Sequence, residues 1–259
     1  MSAIAAPSPS VPAPAADLRP SLGRLAGVEL RKMVDTRAGL WLLVTTGLLT
    51  IAIVVLVSVV GDPADQTFAR QLEAALAPSS ILLPIIGILL VTSEWNQRTA
   101  LITFSLVPQR GRVLAAKLIA GTALTLAAFL LCVAVAAVGV AAVTPDVDGA
   151  WSLSAGLVLQ MLISVVTGMV SGIAFGAAIL ASAPAIVLFF ALPAVWGILG
   201  SISFFDDAAE WLDSSRSLMP LTSELLSATE WARAGTTLAL WMLLPLAIGW
   251  WRIRRQEVS

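Results

Sequence analysis

Apolar residues along this chain gather into six long runs separated by short polar stretches. A helix that crosses a bilayer needs about 20 consecutive, mostly apolar residues. Six segments meet that condition: Gly39–Val60, Ala74–Thr92, Val113–Val143, Leu153–Ala181, Ala185–Phe204 and Ala234–Trp251. Pro78 and Pro84 fall inside the second, and proline removes a backbone donor and clashes with the preceding turn, so an interrupted span is expected there. The third and fourth runs exceed the minimum, which predicts tilt or a start outside the hydrocarbon. Only Ser182, Ala183 and Pro184 separate the fourth run from the fifth, a tight turn with Pro184 supplying the break. The expected fold is an all-α polytopic membrane protein with six transmembrane helices.

Two stretches follow a different pattern. SLGRLAGVELRKMVDTR, residues 21 to 37, has helical periodicity: Leu22, Leu25, Ala26, Leu30 and Met33 share one face, while Arg24, Arg31, Lys32 and Asp35 fall mainly opposite. Glu29 breaks the pattern by projecting onto the apolar side. An unpaired carboxylate there would be costly, so the pattern demands a cation or a helix end beside it. SEWNQRTALITFSLVPQRGR, residues 93 to 112, is too polar to span a membrane, yet Leu101, Ile102, Phe104 and Leu106 are too apolar for a free loop. A short helix lying at the membrane surface satisfies both demands, ending at the Pro108–Gln109–Arg110–Gly111 turn. Glu94 and Arg98, four residues apart, are placed to pair on its first turn.

Composition strengthens the membrane reading. Hydrophobic residues make up 58% of the 259 and charged residues 12%, against about 45–50% and 25% in soluble domains. The net charge of −1 gives no reason to expect a nucleic-acid partner. Basic residues set the orientation, because cytoplasmic loops carry the excess of Lys and Arg. With the N-terminus inside, Arg19, Arg24, Arg31, Lys32, Arg37, Arg98, Arg110, Arg112, Lys117, Arg252, Arg254 and Arg255 are cytoplasmic. Arg70, Arg216 and Arg233 remain outside, so both termini are expected in the cytoplasm. Trp41, Trp95, Trp250 and Trp251 then sit at inner span ends and Trp151 at an outer one, as interfacial aromatics do. Residues 1–20, rich in Ala, Pro and Ser, read as a disordered cytoplasmic tail and not a signal peptide.

The chain lacks the residues of most membrane chemistry. It has no histidine, and Cys132, the single cysteine, lies within an apolar run as a small core hydrophobe. Charged residues occur only at span ends, as with Glu73, Glu94 and Lys117, which disfavours an ion or proton relay through the bilayer. No phosphate-binding loop occurs, so no catalytic, metal or cofactor site is expected in this chain. One packing pattern stands out: Ser164, Gly168, Gly172 and Gly176 place a small residue at every fourth position, which lets two helix backbones approach closely. Packing within one subunit and a seam between two subunits both fit, the first preferred. Gln160 continues that face, to bond a neighbouring helix or to line a path. Between the fifth and sixth runs, Phe204 to Gly235 reads as two short amphipathic helices broken at Pro220, with Asp206 as a helix cap.

The order and spacing of VELRKMVDTRAG before the first span and SEWNQRTALITFSLVPQRGRVLAAKLIAG after the second resemble the six-span permease subunits of type-2 ATP-binding-cassette exporters. The resemblance covers roughly residues 21 to 255. It implies an N-terminal elbow helix (21–38, with Glu29, Arg31 and Lys32) and a permease domain (39–255) with an external helical segment (205–234), followed by a tail (256–259). It also implies that 93–112 holds a cytoplasmic coupling helix, whose Glu94, Arg98, Leu101, Ile102, Phe104, Arg110 and Arg112 form the surface that meets an ATPase subunit. Its apolar residues would dock in a groove, with the arginines facing acidic groups or lipid headgroups. Expected partners are the ATPase, which would carry ATP and Mg, a second permease copy or paralogue, and membrane lipid. A non-transporting membrane scaffold or immunity protein is the alternative.

Overall fold

The computed structural model describes residues 20–62, 66–97, 99, 109–143 and 149–255, and among these every regular element is helical. The first, α1 (Leu22–Asp35), starts where Ser21 accepts a hydrogen bond from the Arg24 amide and ends at Thr36. Thr36 also opens α2 (Arg37–Val60), its hydroxyl accepting from the Gly39 amide, so one residue closes a surface helix and starts a span. The corner is tight enough that a Cβ at position 39 would collide with the Met33 carbonyl oxygen.

Four further spans follow: α3 (Phe68–Asn96), α4 (Arg110–Val143), α5 (Ala155–Ile179) and α6 (Ser182–Leu199). Short helices α7 (Asp206–Leu212), α8 (Ser214–Leu218) and α9 (Pro220–Ser223) precede α10 (Ala228–Leu238). A π-helical turn (Ala239–Leu243) joins α10 to α11 (Leu244–Arg255), so the last candidate span runs Ala228–Arg255. Six helices are long and apolar enough to cross a membrane, as the hydrophobic pattern predicts.

The centre of the bundle corrects one expectation. The run expected to be interrupted is the continuous 29-residue α3, the most enclosed span, with both prolines inside it. Neighbouring helices satisfy backbone groups that a proline disturbs. The Thr50 hydroxyl and Cys132 thiol both donate to the Ala75 carbonyl, one turn before Pro78. Beside Pro84, α5 packs so closely that a Cβ at Gly172 would strike the Pro84 carbonyl oxygen, and one at Gly176 would lie 3.0 Å from the Ile88 carbonyl oxygen. The small-residue ladder therefore meets α3 of the same chain at Gly172 and Gly176. Gly168 touches only the edge of the Pro84 ring, and Ser164 is half-buried.

Three other details differ from expectation. The turn between α5 and α6 is made by Leu180, in the left-handed region at φ 60°, and Ala181; Pro184 belongs to the first turn of α6, where its missing amide costs nothing. The 204–235 segment forms three short helices and then the first turns of the last span. Asp206 sits inside α7 and pairs with Arg216 at 2.7 Å, so it is not a cap. A cap is supplied by Asp213, whose carboxylate accepts from the Ser215 amide at the start of α8.

Candidate functional site

The densest polar feature lies where α1, the end of α3 and the start of α4 meet. Ala26, Glu29 and Met33 form the buried stripe of α1, which places the Glu29 carboxylate against α4. Lys32, one turn further on, folds its ammonium back to Glu29 Oε1 at 2.7 Å and also reaches Glu94 Oε1 at 2.7 Å, in the last turn of α3. From α4, Lys117 reaches Glu29 Oε2 at 2.7 Å, Glu94 Oε1 at 3.2 Å and the Leu90 carbonyl at 3.0 Å. Each lysine contacts both carboxylates, so two anions and two cations form an electroneutral cluster spanning three helices.

Burial makes this arrangement consequential. Only 4% of the Lys117 side chain is exposed, with Glu29 and Glu94 similarly enclosed, whereas Lys32 keeps 38% exposure. Removing ions from water costs several kcal/mol each, and only close, saturated pairing offsets it. For Lys32, burial opposes its charge, but the hydrogen bonds to Glu29 and Glu94 outweigh that and raise its pKa above the ordinary lysine value. The cation that the pattern demanded for Glu29 is thus present twice.

Other expected site residues are distributed unevenly. Arg31 is exposed on α1. Arg110 donates to the Ile253 carbonyl at 2.7 Å, where the last turn of α11 has carbonyls without helical partners, and Arg112 donates to the Pro20 carbonyl at 2.8 Å. Both arginines, expected to face acidic groups or headgroups, therefore reach backbone oxygens of their own chain and tie the start of α4 to both ends of the described chain. Arg98, Leu101, Ile102 and Phe104 lie outside the described residues, and with them the Glu94–Arg98 pair. So does most of the surface expected to meet an ATPase.

Two polar contacts escaped the sequence reading. Ser182, at the start of α6, shares a 2.6 Å hydrogen bond with Thr92 and accepts one from Asn96 at 2.6 Å, fastening α6 to the end of α3. Lys117 was visible only as a charge near a span end; a lysine two turns into a span is a sign that carboxylates face it. Toward the other end of the bundle, Gln160 donates to the Glu224 carbonyl and accepts from the Leu226 amide, clamping the strap between α9 and α10 and not a neighbouring span. Among the described residues, no three His, Cys, Asp or Glu side chains come together as metal ligands. Compared with known proteins, the chain matches no family profile and no curated protein at a significant level.

Proposed function

We propose that this chain is the membrane-spanning subunit of an ATP-driven exporter, with both termini in the cytoplasm and a separate ATPase docked on the connection between α3 and α4. The observation that carries this reading is the charge cluster. It joins α1, α3 and α4 at the place where that connection leaves and re-enters the bundle. A push on residues 97–109 from a closing ATPase pair would act on three helices together and, through Ser182 and Arg110, on α6 and α11. Rocking of helices between two arrangements is an established way to alternate access. The α6 span is largely uncovered, with Val187, Val195 and Ile198 exposed, which accords with lipid or a second permease copy along it. Spans charged only near their ends favour a hydrophobic or amphipathic cargo.

The test is co-purification of the tagged protein from its native membrane in mild detergent, beside the Phe104→Asp variant, with bound proteins identified by mass spectrometry. A stoichiometric ATPase captured by the wild type and lost in the variant supports the reading. If no ATPase accompanies the wild type, the exporter reading fails, leaving the scaffold or immunity protein.

A further inference from the structure

Beside the charge cluster lies a cavity of about 500 Å3 that the cluster itself does not fill. Its apolar side is made by Met33 of α1 and by Ile86, Leu89 and Leu90 of α3. Its polar side gathers Lys32 and Glu94 with Asn96, Thr99 and Ser182. The two sides follow the axis of α3, apolar in the interior of the span and polar at its end. The cavity therefore changes character in the same order as a lipid, from acyl chain to headgroup. The first turn of α2, at Ala38 and Gly39, and the first residue of α6 bound it laterally.

We infer that this cavity binds one glycerophospholipid of the surrounding leaflet, with its headgroup at Lys32 and the start of an acyl chain along Ile86, Leu89 and Leu90. Two features select that class. The volume lies within the range of ligand sites, about 300–1,000 Å3, and holds a headgroup with part of one chain. Lys32 uses two of its three N–H donors on Glu29 and Glu94, and the third is available to a phosphate oxygen. The site goes beyond the exporter reading, since lipid held here would wedge against α1, α2, α3 and α6 whatever the chain transports.

Native mass spectrometry of the purified full chain tests this, after delipidation and titration with phosphatidylethanolamine or phosphatidylglycerol. The expected result is one saturable adduct with each phospholipid. Leu89→Trp fills the apolar side from a half-buried position and leaves the cluster untouched; it should weaken the adduct about tenfold or more. Thermal unfolding in detergent would verify that the variant is folded, and Ala38→Trp, from an exposed position at the rim, gives an independent second block. Lys32→Met should weaken phospholipid more than it weakens uncharged diacylglycerol. A wild type that takes up no stoichiometric phospholipid overturns the inference. So does an adduct that both folded tryptophan variants hold as tightly as the wild type, or a Lys32→Met variant that loses phospholipid no more than it loses diacylglycerol. None of these readouts needs an ATPase, so this inference and the exporter reading fail separately.

Discussion

Replacing Lys117 by Met isolates what the charge cluster contributes. Methionine keeps a long unbranched side chain in the same space, so packing changes little while the ammonium is lost. Two buried carboxylates, Glu29 and Glu94, would then lose the ammonium they share from α4, and the Leu90 carbonyl would lose a donor. Removing one partner from a buried ion pair costs about 3–5 kcal/mol, chiefly because a charge is left uncompensated. The lost hydrogen bond adds about 1 kcal/mol, so we expect a loss of about 4 kcal/mol or somewhat more. Adding Glu29→Gln removes one of the two carboxylates that Lys117 compensates and keeps the Glu94–Lys32 pair. The double variant should therefore be more stable than the sum of the single losses by at least about 2 kcal/mol. Denaturant unfolding in detergent, followed by tryptophan fluorescence, measures all four corners of the cycle. If Lys117→Met costs less than about 1 kcal/mol, or if the two single losses simply add, the lysine is not compensating these carboxylates and the cluster does not hold the three helices together.

Three further outcomes are expected. Gly172→Ala should destabilise by about 2 kcal/mol or more, because its Cβ meets the Pro84 backbone, whereas Gly168→Ala, whose Cβ would sit 3.5 Å from the Pro84 ring edge, should be near neutral; thermal unfolding of the pair decides it. Gln160→Leu removes two hydrogen bonds to the strap at Glu224 and Leu226, so hydrogen exchange should quicken in residues 220–230 while the spans stay protected. The Lys32 contribution should appear as an alkaline effect. Its folded pKa is raised, so its stabilisation is fully present below the ordinary lysine pKa and is lost as pH rises through the folded value; a pH series on wild type and Lys32→Met should diverge below that point and converge above it.

The hydrophobic pattern was enough to find all six spans, because burial in lipid imposes length and apolarity on each helix independently of its neighbours. The need for a partner at Glu29 was equally legible, since helical periodicity alone shows a carboxylate on the wrong face. Of its two partners, Lys32 lies only three residues on, but Lys117 lies 88 residues away and only the tertiary arrangement brings it to Glu29. The same limit explains Pro78 and Pro84. Local rules say that proline breaks a helix, but Thr50, Cys132 and Gly172 come from three other helices to satisfy or accommodate the disturbed backbone. Asp206 misled in the opposite sense: its residue type suits a cap, yet Arg216, ten residues on, competes for the same carboxylate.

The reach from Glu29 to Lys117 also orders the assembly of the chain. A ribosome adding about 5–20 residues per second needs roughly 4–18 s to travel the 88 residues between them. Until Glu94 is made, α1 has from this cluster only the local bond from Lys32 to Glu29. Its seat exists only after α3 has crossed and α4 has entered with its lysine, so the first helix made is among the last of these three to be fixed. Insertion of α4, and not synthesis of α1, is then the event that commits α1 to its final position.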